Sequence, residues 1–410
     1  MYNSKVIDTD HKDVIHDIAF DFYGRRMATC SSDQLVKIWN LDDDGNWVLD
    51  STLKSPSGAV WKVTWAHPEF GQIIATCSFD RSATIYEDSI SDKGHGMKRS
   101  WIKRCPLVDA RSSVTDVKFA PKSMGLVLAV CCADGLVRLY EAYDIMNLSQ
   151  WATVHDINTR LPCCSCISWN PSPSRFSAPL LAVGSDDGCL ANSSNNSSGG
   201  TMSITNTNTP NNASNNTARV AIFAYCDNGR RWEQVETLLS ITDRVHDIAF
   251  APNPGRSFHI LAVASKDLKI IVLKPKPANS DGSCGGFDLA VAGQFADHGS
   301  NVWRVSWNVT GTVVSASGDN GLVKIYKANY LDVWKCVGTL SSFGAVPHSI
   351  SDRPDEEEQP VQPQQTFGNS AQSLATNKSS AVGAVAAAAA SGARYLKMAS
   401  TNNPGTVVWH

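Results

Sequence analysis

The chain has 410 residues, with 36 Lys and Arg against 39 Asp and Glu, a formal charge of -3 and 42% hydrophobic residues. That length can bury a large core, and the near-balanced charge gives the whole chain no pull toward nucleic acid or an anionic membrane. No apolar run of about 18 residues occurs, so no membrane span is expected, and Met1-Tyr2-Asn3-Ser4-Lys5 does not read as a signal peptide.

Lys5-Val6-Ile7-Asp8 reads as a short strand. Ile15 to Phe20 then opens a unit that recurs along the chain. Its first strand alternates apolar and polar residues, and Val60–Trp65, Val114–Phe119, Cys164–Trp169, Val245–Phe250 and Val302–Trp307 repeat it. A second strand, a tight turn and a third strand usually ending in an aromatic follow each time: Ala28 to Trp39, Ala75 to Tyr86, Ala129 to Tyr140, Ala182 to Phe223, Ala262 to Val272 and Val314 to Tyr326. The turn residues Asp33, Asp80, Asp134, Asp187, Asp267 and Asn320 are spaced 47, 54, 53, 80 and 53 residues apart. Fourth strands fit at Trp47–Leu53, Trp101–Leu107, Trp151–Ile157, Trp232–Ile241, Phe287–Phe295 and Trp334–Leu340. This is a WD-repeat period. A four-stranded sheet cannot bury its faces alone, so six units imply an all-β, six-bladed WD40 β-propeller over residues 1–340.

The long interval holds Asn, Ser, Thr and Gly over residues 191–218. That composition cannot bury enough apolar surface to offset its ordering entropy, so a disordered insertion in blade 4 is expected. From residue 341 to residue 410 the repeat stops. Asp355-Glu356-Glu357-Glu358, a Gln/Pro stretch and an Ala-rich tract suggest a disordered low-complexity tail.

His11, Asp33 and Trp39 have the spacing of a hydrogen-bond network inside a blade. The Trp39 indole would donate to Thr29 or Ser31, that hydroxyl would meet His11, and Asp33 would hold the other ring nitrogen. Asp80, Asp134, Asp187 and Asp267 occupy the equivalent turns, and His298 repeats the His11 position. Blades with Tyr, Phe or Val in place of the Trp are expected to rely more on packing. A Ser-His-Asp hydrolase reading fails, because no nucleophile elbow exists and His and Asp recur at repeat spacing. Cys163-Cys164-Ser165-Cys166 lacks a second ligand pair at zinc spacing and reads as buried strand cysteines. No Gly-rich phosphate loop occurs. No enzyme activity, metal or cofactor is expected, and the cysteine positions suit a reducing compartment.

Blade 6 already has a fourth strand, so the N-terminal strand is surplus to a self-closed ring. On a seven-blade spacing a gap would remain between blades 6 and 1, open to strands from a partner. Sequence leaves both closures open. For the gap, the candidate lining is Val6, Ile7, Ile15, Ile18, Phe20, Val302, Val305 and Trp307.

Several stretches are not generic to WD repeats: Asp10-His11-Lys12-Asp13, Phe22-Tyr23-Gly24-Arg25-Arg26-Met27, Trp65-Ala66-His67-Pro68-Glu69-Phe70-Gly71-Gln72, Cys77-Ser78-Phe79-Asp80-Arg81, Met146-Asn147-Leu148-Ser149-Gln150-Trp151 and Gly255-Arg256-Ser257-Phe258-His259-Ile260. Through these the chain closely resembles the Seh-type nucleoporins, WD-repeat relatives of Sec-thirteen, over most of residues 1–340. The resemblance implies an open ring completed by a blade from a scaffold nucleoporin of the Y-shaped outer-ring complex or from a Mio-type GATOR subunit. It also implies other WD-repeat subunits in the same assemblies, no direct nucleic-acid contact, and placement at the nuclear pore, the lysosomal surface, the cytoplasm and the kinetochore. A closed-ring WD-repeat adaptor and a vesicle-coat subunit are the alternatives. The blade 4 insertion and the long tail depart from the family pattern.

Overall fold

The computed structural model describes residues 5–54, 58–92, 97–171, 178–186, 218–276, 285–341, 344–346, 385–387, 396–399 and 406–409. Six antiparallel sheets follow one another in chain order, each with its strands paired sequentially from the axis outward. Blade 1 is Ile15–Phe20, Arg26–Ser31, Leu35–Leu41 and Trp47–Lys54; blade 2 is Val60–Trp65, Ile73–Ser78, Ala83–Asp92 and Met97–Leu107. Blade 3 is Val114–Phe119, Val127–Cys132, Leu136–Ala142 and Trp151–Asn158; blade 4 is Cys164–Trp169, Leu180–Ser185, Val220–Cys226 and Arg231–Thr237. Blade 5 is Asp247–Phe250, His259–Ala264, Leu268–Pro275 and Phe287–Phe295; blade 6 is Val302–Trp307, Val313–Gly318, Val323–Ala328 and Trp334–Ser341, with Gly344–Val346 added at its edge. The molecule is a six-bladed WD-type propeller.

One register governs the blades. In five blades a residue within the third strand sits opposite the residue twelve places earlier: Trp39 opposite Met27, Tyr86 opposite Ile74, Tyr140 opposite Leu128, Val272 opposite Ile260 and Tyr326 opposite Val314. A bulge interrupts the inner strands of blades 1, 2, 3, 4 and 6 near their starts. The extra residue shifts the alternation and re-aims the side chains that follow it. The apolar core lies between blades, because each sheet is flanked on both faces. Ala28, Ile38, Val60, Ile74 and Tyr86 join blade 1 to blade 2, for example. Burying each Val or Ile this way contributes about 1.5–3 kcal/mol before entropy is counted.

A seventh sheet occupies the space between blades 6 and 1. Its order is Lys5–Asp8, Thr406–Trp409, Leu396–Ala399 and Val385–Ala387, all antiparallel. Val385–Ala387 lies beside the inner strands of blades 6 and 1, so it is innermost, and the N-terminal strand is outermost. Three of these strands fall in the 341–410 stretch for which disorder was expected. In this sheet Lys397 sits opposite Trp409. Asn402-Asn403-Pro404-Gly405, turn-forming residue types, stand between.

In blade 4, Gly184 pairs with Val220, which places the Asn/Ser-rich insertion between its second and third strands. Residues 191–217 of the insertion expected to be disordered, and the turn residue Asp187, lie outside the described residues.

Candidate partner-binding slot

Equivalent positions in successive blades face the same way round the ring. On blade 1, Ile15, Ile18, Met27 and Trp39 form one buried cluster with Ile7 of the N-terminal strand, and Phe20 and Trp47 pack against it. That face is turned away from blade 2 and toward the slot. Ile7, Ile15, Ile18 and Phe20 are therefore brought together there; Val6 stands opposite Val408 in the backbone ladder.

The blade 6 half of the expected lining is corrected. Val302, Val305 and Trp307 occupy the positions equivalent to Ile15, Ile18 and Phe20, so they face blade 5. They pack with Ala251, Ile260, Ala262 and Ile270, and the Trp307 indole donates to the Ala249 carbonyl at 2.9 Å. The opposite, slot-side face of blade 6 carries Val323, Ile325 and Leu340, with Val313 beside them. Strand alternation identifies the residues that share a face, but not the neighbour that face will meet.

The ring seams have polar latches that sequence reading did not anticipate. Asp17, Asp116 and Asp247 lie on the inner strands of blades 1, 3 and 5. Each carboxylate accepts a backbone N–H from the next blade: Val63 at 3.3 Å, Ile167 at 3.0 Å and Val305 at 3.1 Å. Trp65, Trp169 and Trp307 end the inner strands of blades 2, 4 and 6. Their indoles donate back to the carbonyls of Ala19, Lys118 and Ala249. Blades are thus latched as 1 with 2, 3 with 4, and 5 with 6. The signal was readable as the alternation Phe20, Trp65, Phe119, Trp169, Phe250, Trp307.

Lys62, Lys118 and Arg304 compensate the three carboxylates around the axis, where Asp17, Asp247 and the three cations line one cavity. Burial pulls the Lys118 ammonium down, yet Asp116, Asp17 and Asp247 outweigh it and hold it above its ordinary value. Arg304 also donates to the His16 carbonyl at 3.2 Å, bridging blades 6 and 1 on the inner side of the slot.

Inside blade 1, Trp39 Nε1 donates to Thr29 Oγ1 at 3.1 Å, His11 Nε2 lies 2.9 Å from that oxygen, and His11 Nδ1 lies 2.8 Å from Asp33 Oδ2. A carboxylate only accepts, so Nδ1 carries the proton and the Thr29 hydroxyl donates to Nε2. Burial lowers the His11 pKa despite Asp33, which keeps the ring neutral. Burial would raise the Asp33 carboxyl, but the bond from His11 overrides it and leaves it below the usual range. Ser31 stands aside from this relay and donates to the Asp13 carbonyl at 3.1 Å.

Two of the Tyr blades do more than pack. Tyr140 OH donates to Asp109 at 3.0 Å, and Tyr326 OH to Asp297 at 2.6 Å. Each replaces a four-residue relay by one charge-assisted bond. His298 makes neither of the His11 contacts. Both its ring nitrogens are buried without a hydrogen-bond partner, and burial pushes its pKa down to about 4.

A family model described as WD domain, G-beta repeat matches residues 4–40 and 291–327. Nucleoporin SEH1 of Bos taurus and of Homo sapiens are each 53% identical to the chain over 350 residues, covering 84% of it and 90% of the relative. Nucleoporin SEH1-A of Xenopus laevis is 54% identical over 349 residues with the same coverage. The chain belongs to the SEH1 family of nucleoporins. Membership in this SEH1 family gives the propeller a scaffolding, non-catalytic character.

The remaining sites have structural places in the SEH1-type ring. Asp80 and Asp134 accept the N–H of the residue two places on, at Ser82 and Leu136, as Asp33 does at Leu35. These are Asx turns that set the hairpin. Asp267 accepts from the Ser265 hydroxyl at 3.1 Å and from Gln294. Cys163, Cys164 and Cys166 are buried, and no group of three metal-ligating residues occurs among the described residues. Among those residues no helix is long and apolar enough to cross a membrane.

Proposed function

We propose that this propeller is a scaffold subunit of the nuclear pore outer-ring complex, and also of the GATOR subcomplex that promotes amino-acid-dependent TOR signalling. It joins both through the slot between blades 6 and 1, into which a scaffold nucleoporin or a Mio-type subunit inserts strands. In this reading the protein works at the nuclear envelope, on the lysosomal surface, in the cytoplasm and at the kinetochore, beside other WD-repeat subunits and without touching nucleic acid. The observation that carries it is the pairing of SEH1 family membership with a ring whose six contiguous blades leave a seventh position to other strands. There the N-terminal strand offers main-chain bonds for affinity, and the apolar faces of blades 1 and 6 offer side-chain specificity.

Affinity capture of the tagged full chain from cells, with quantitative mass spectrometry, tests this. Outer-ring and GATOR subunits should be recovered in near-stoichiometric amounts. Recovery of unrelated adaptor or coat components without either set would overturn it. A closed-ring adaptor remains a second reading for one reason: the chain's own C-terminal strands already fill the seventh position.

A further inference from the structure

We infer that the C-terminal strands are a resident seventh blade that keeps the slot closed in the free protein, and that an inserting partner must displace them. This deepens the reading above and rests on it for the identity of the partner class. The partner is a three-stranded antiparallel segment, because three strands leave and Lys5–Asp8 remains as the fourth strand for either occupant.

Three observations carry the inference. First, the tail strands pair antiparallel in the sequential order of a blade, Val385–Ala387 with Leu396–Ala399 and Leu396–Ala399 with Thr406–Trp409. Second, the slot-side faces of the flanking blades are covered. Met27 and Val323 are 0% exposed, and Trp39 is 5% exposed, although no contiguous blade stands against them. Val385–Ala387 is the strand that runs beside both flanking inner strands. Third, the seventh blade is made of two chain ends, and its last strand bonds on both sides, to Lys5–Asp8 and to Leu396–Ala399. An unoccupied slot would leave Lys5–Asp8 without a ladder partner and the apolar faces bare, which favours filling it. A tethered filler acts at high effective concentration, so a partner must outcompete it, and weak or incomplete insertions are rejected.

The test uses the full chain. In a Val6→Cys/Val408→Cys variant, mild oxidation should link residues 6 and 408 within one chain, read by peptide mass spectrometry, because these residues face each other in the ladder. Separately, Val408→Pro removes a ladder N–H from a strand paired on both sides. That variant should bind a fluorescent synthetic peptide of residues 380–410 at least about tenfold more tightly than the unaltered chain, and the oxidised double-Cys chain should not bind it. Absence of the 6–408 link, or equal peptide binding by the unaltered and Val408→Pro chains, would overturn the inference. A 6–408 link found only between two copies would overturn the intramolecular form and indicate strand exchange between chains. These readouts need no cellular partner. Intramolecular closure without recovery of outer-ring or GATOR subunits would sink the proposed function while leaving the resident blade in place; the reverse pattern would do the opposite.

Discussion

The seams within the blade pairs and the seam at the slot are held by different chemistry. Between blades 1 and 2, 3 and 4, and 5 and 6, a buried carboxylate takes a backbone N–H from its neighbour, and an indole returns a bond to a carbonyl. Opening such a seam would leave buried polar groups unpaired, at about 1–3 kcal/mol each. At the slot, the seventh sheet is assembled from the two ends of the chain by ladder bonds. Ladder bonds and apolar faces can be re-formed by any strand of suitable pattern, whereas the latches depend on named side chains. A permanent ring and an exchangeable blade thus coexist in one fold.

Altering the permanent seams should have the largest effects. Trp307→Ala removes a buried indole, its bond to Ala249 and its edge-on contact with Trp334. We expect a loss of about 3–5 kcal/mol in chemical denaturation; a loss below about 1 kcal/mol would show that the latch does not hold blades 5 and 6 together.

Next comes acid sensitivity inside blade 6. His298 is buried neutral with its pKa near 4, against an ordinary value of 6.5. The unfolded chain takes up the proton first as pH falls, so this contribution is complete above pH 6.5 and is lost progressively toward pH 4. It is worth at most roughly 3 kcal/mol. The natural chain should lose stability relative to His298→Leu as pH falls from 6.5 toward 4, so the difference between their denaturation midpoints should be constant above pH 6.5 and shift in favour of the variant by pH 4.5. Parallel pH profiles would remove His298 from the account.

A smaller effect is expected for Tyr326→Phe. It deletes the bond to Asp297 while keeping the ring, and should cost about 1.5–3 kcal/mol, the range for a bond to a charged group. No change would mean that blade 6 relies on packing alone. The smallest effect belongs to the slot: Val408→Pro should shift the main unfolding transition by less than about 1 kcal/mol, because the six latched blades do not share the altered ladder. A shift as large as that of Trp307→Ala would erase the distinction between the two regions.

Much of this was legible in the residues themselves. The period of the turns, the alternation of the inner strands and the Trp39–Thr29–His11–Asp33 spacing are local patterns, and local patterns follow from backbone geometry that every strand and turn obeys. The latches were legible in principle as the Phe/Trp alternation, but their partners lie one blade away. Two matters were decided by tertiary structure alone. One was the rotational sense of the faces, which sends Val302, Val305 and Trp307 to blade 5 and leaves Val323, Ile325 and Leu340 for the slot. The other was the occupant of the seventh position, where residues near the two ends of the chain pair across almost its whole length. A strand's own sequence states its period and its apolar face; which edge it joins depends on what else is free when the ring closes.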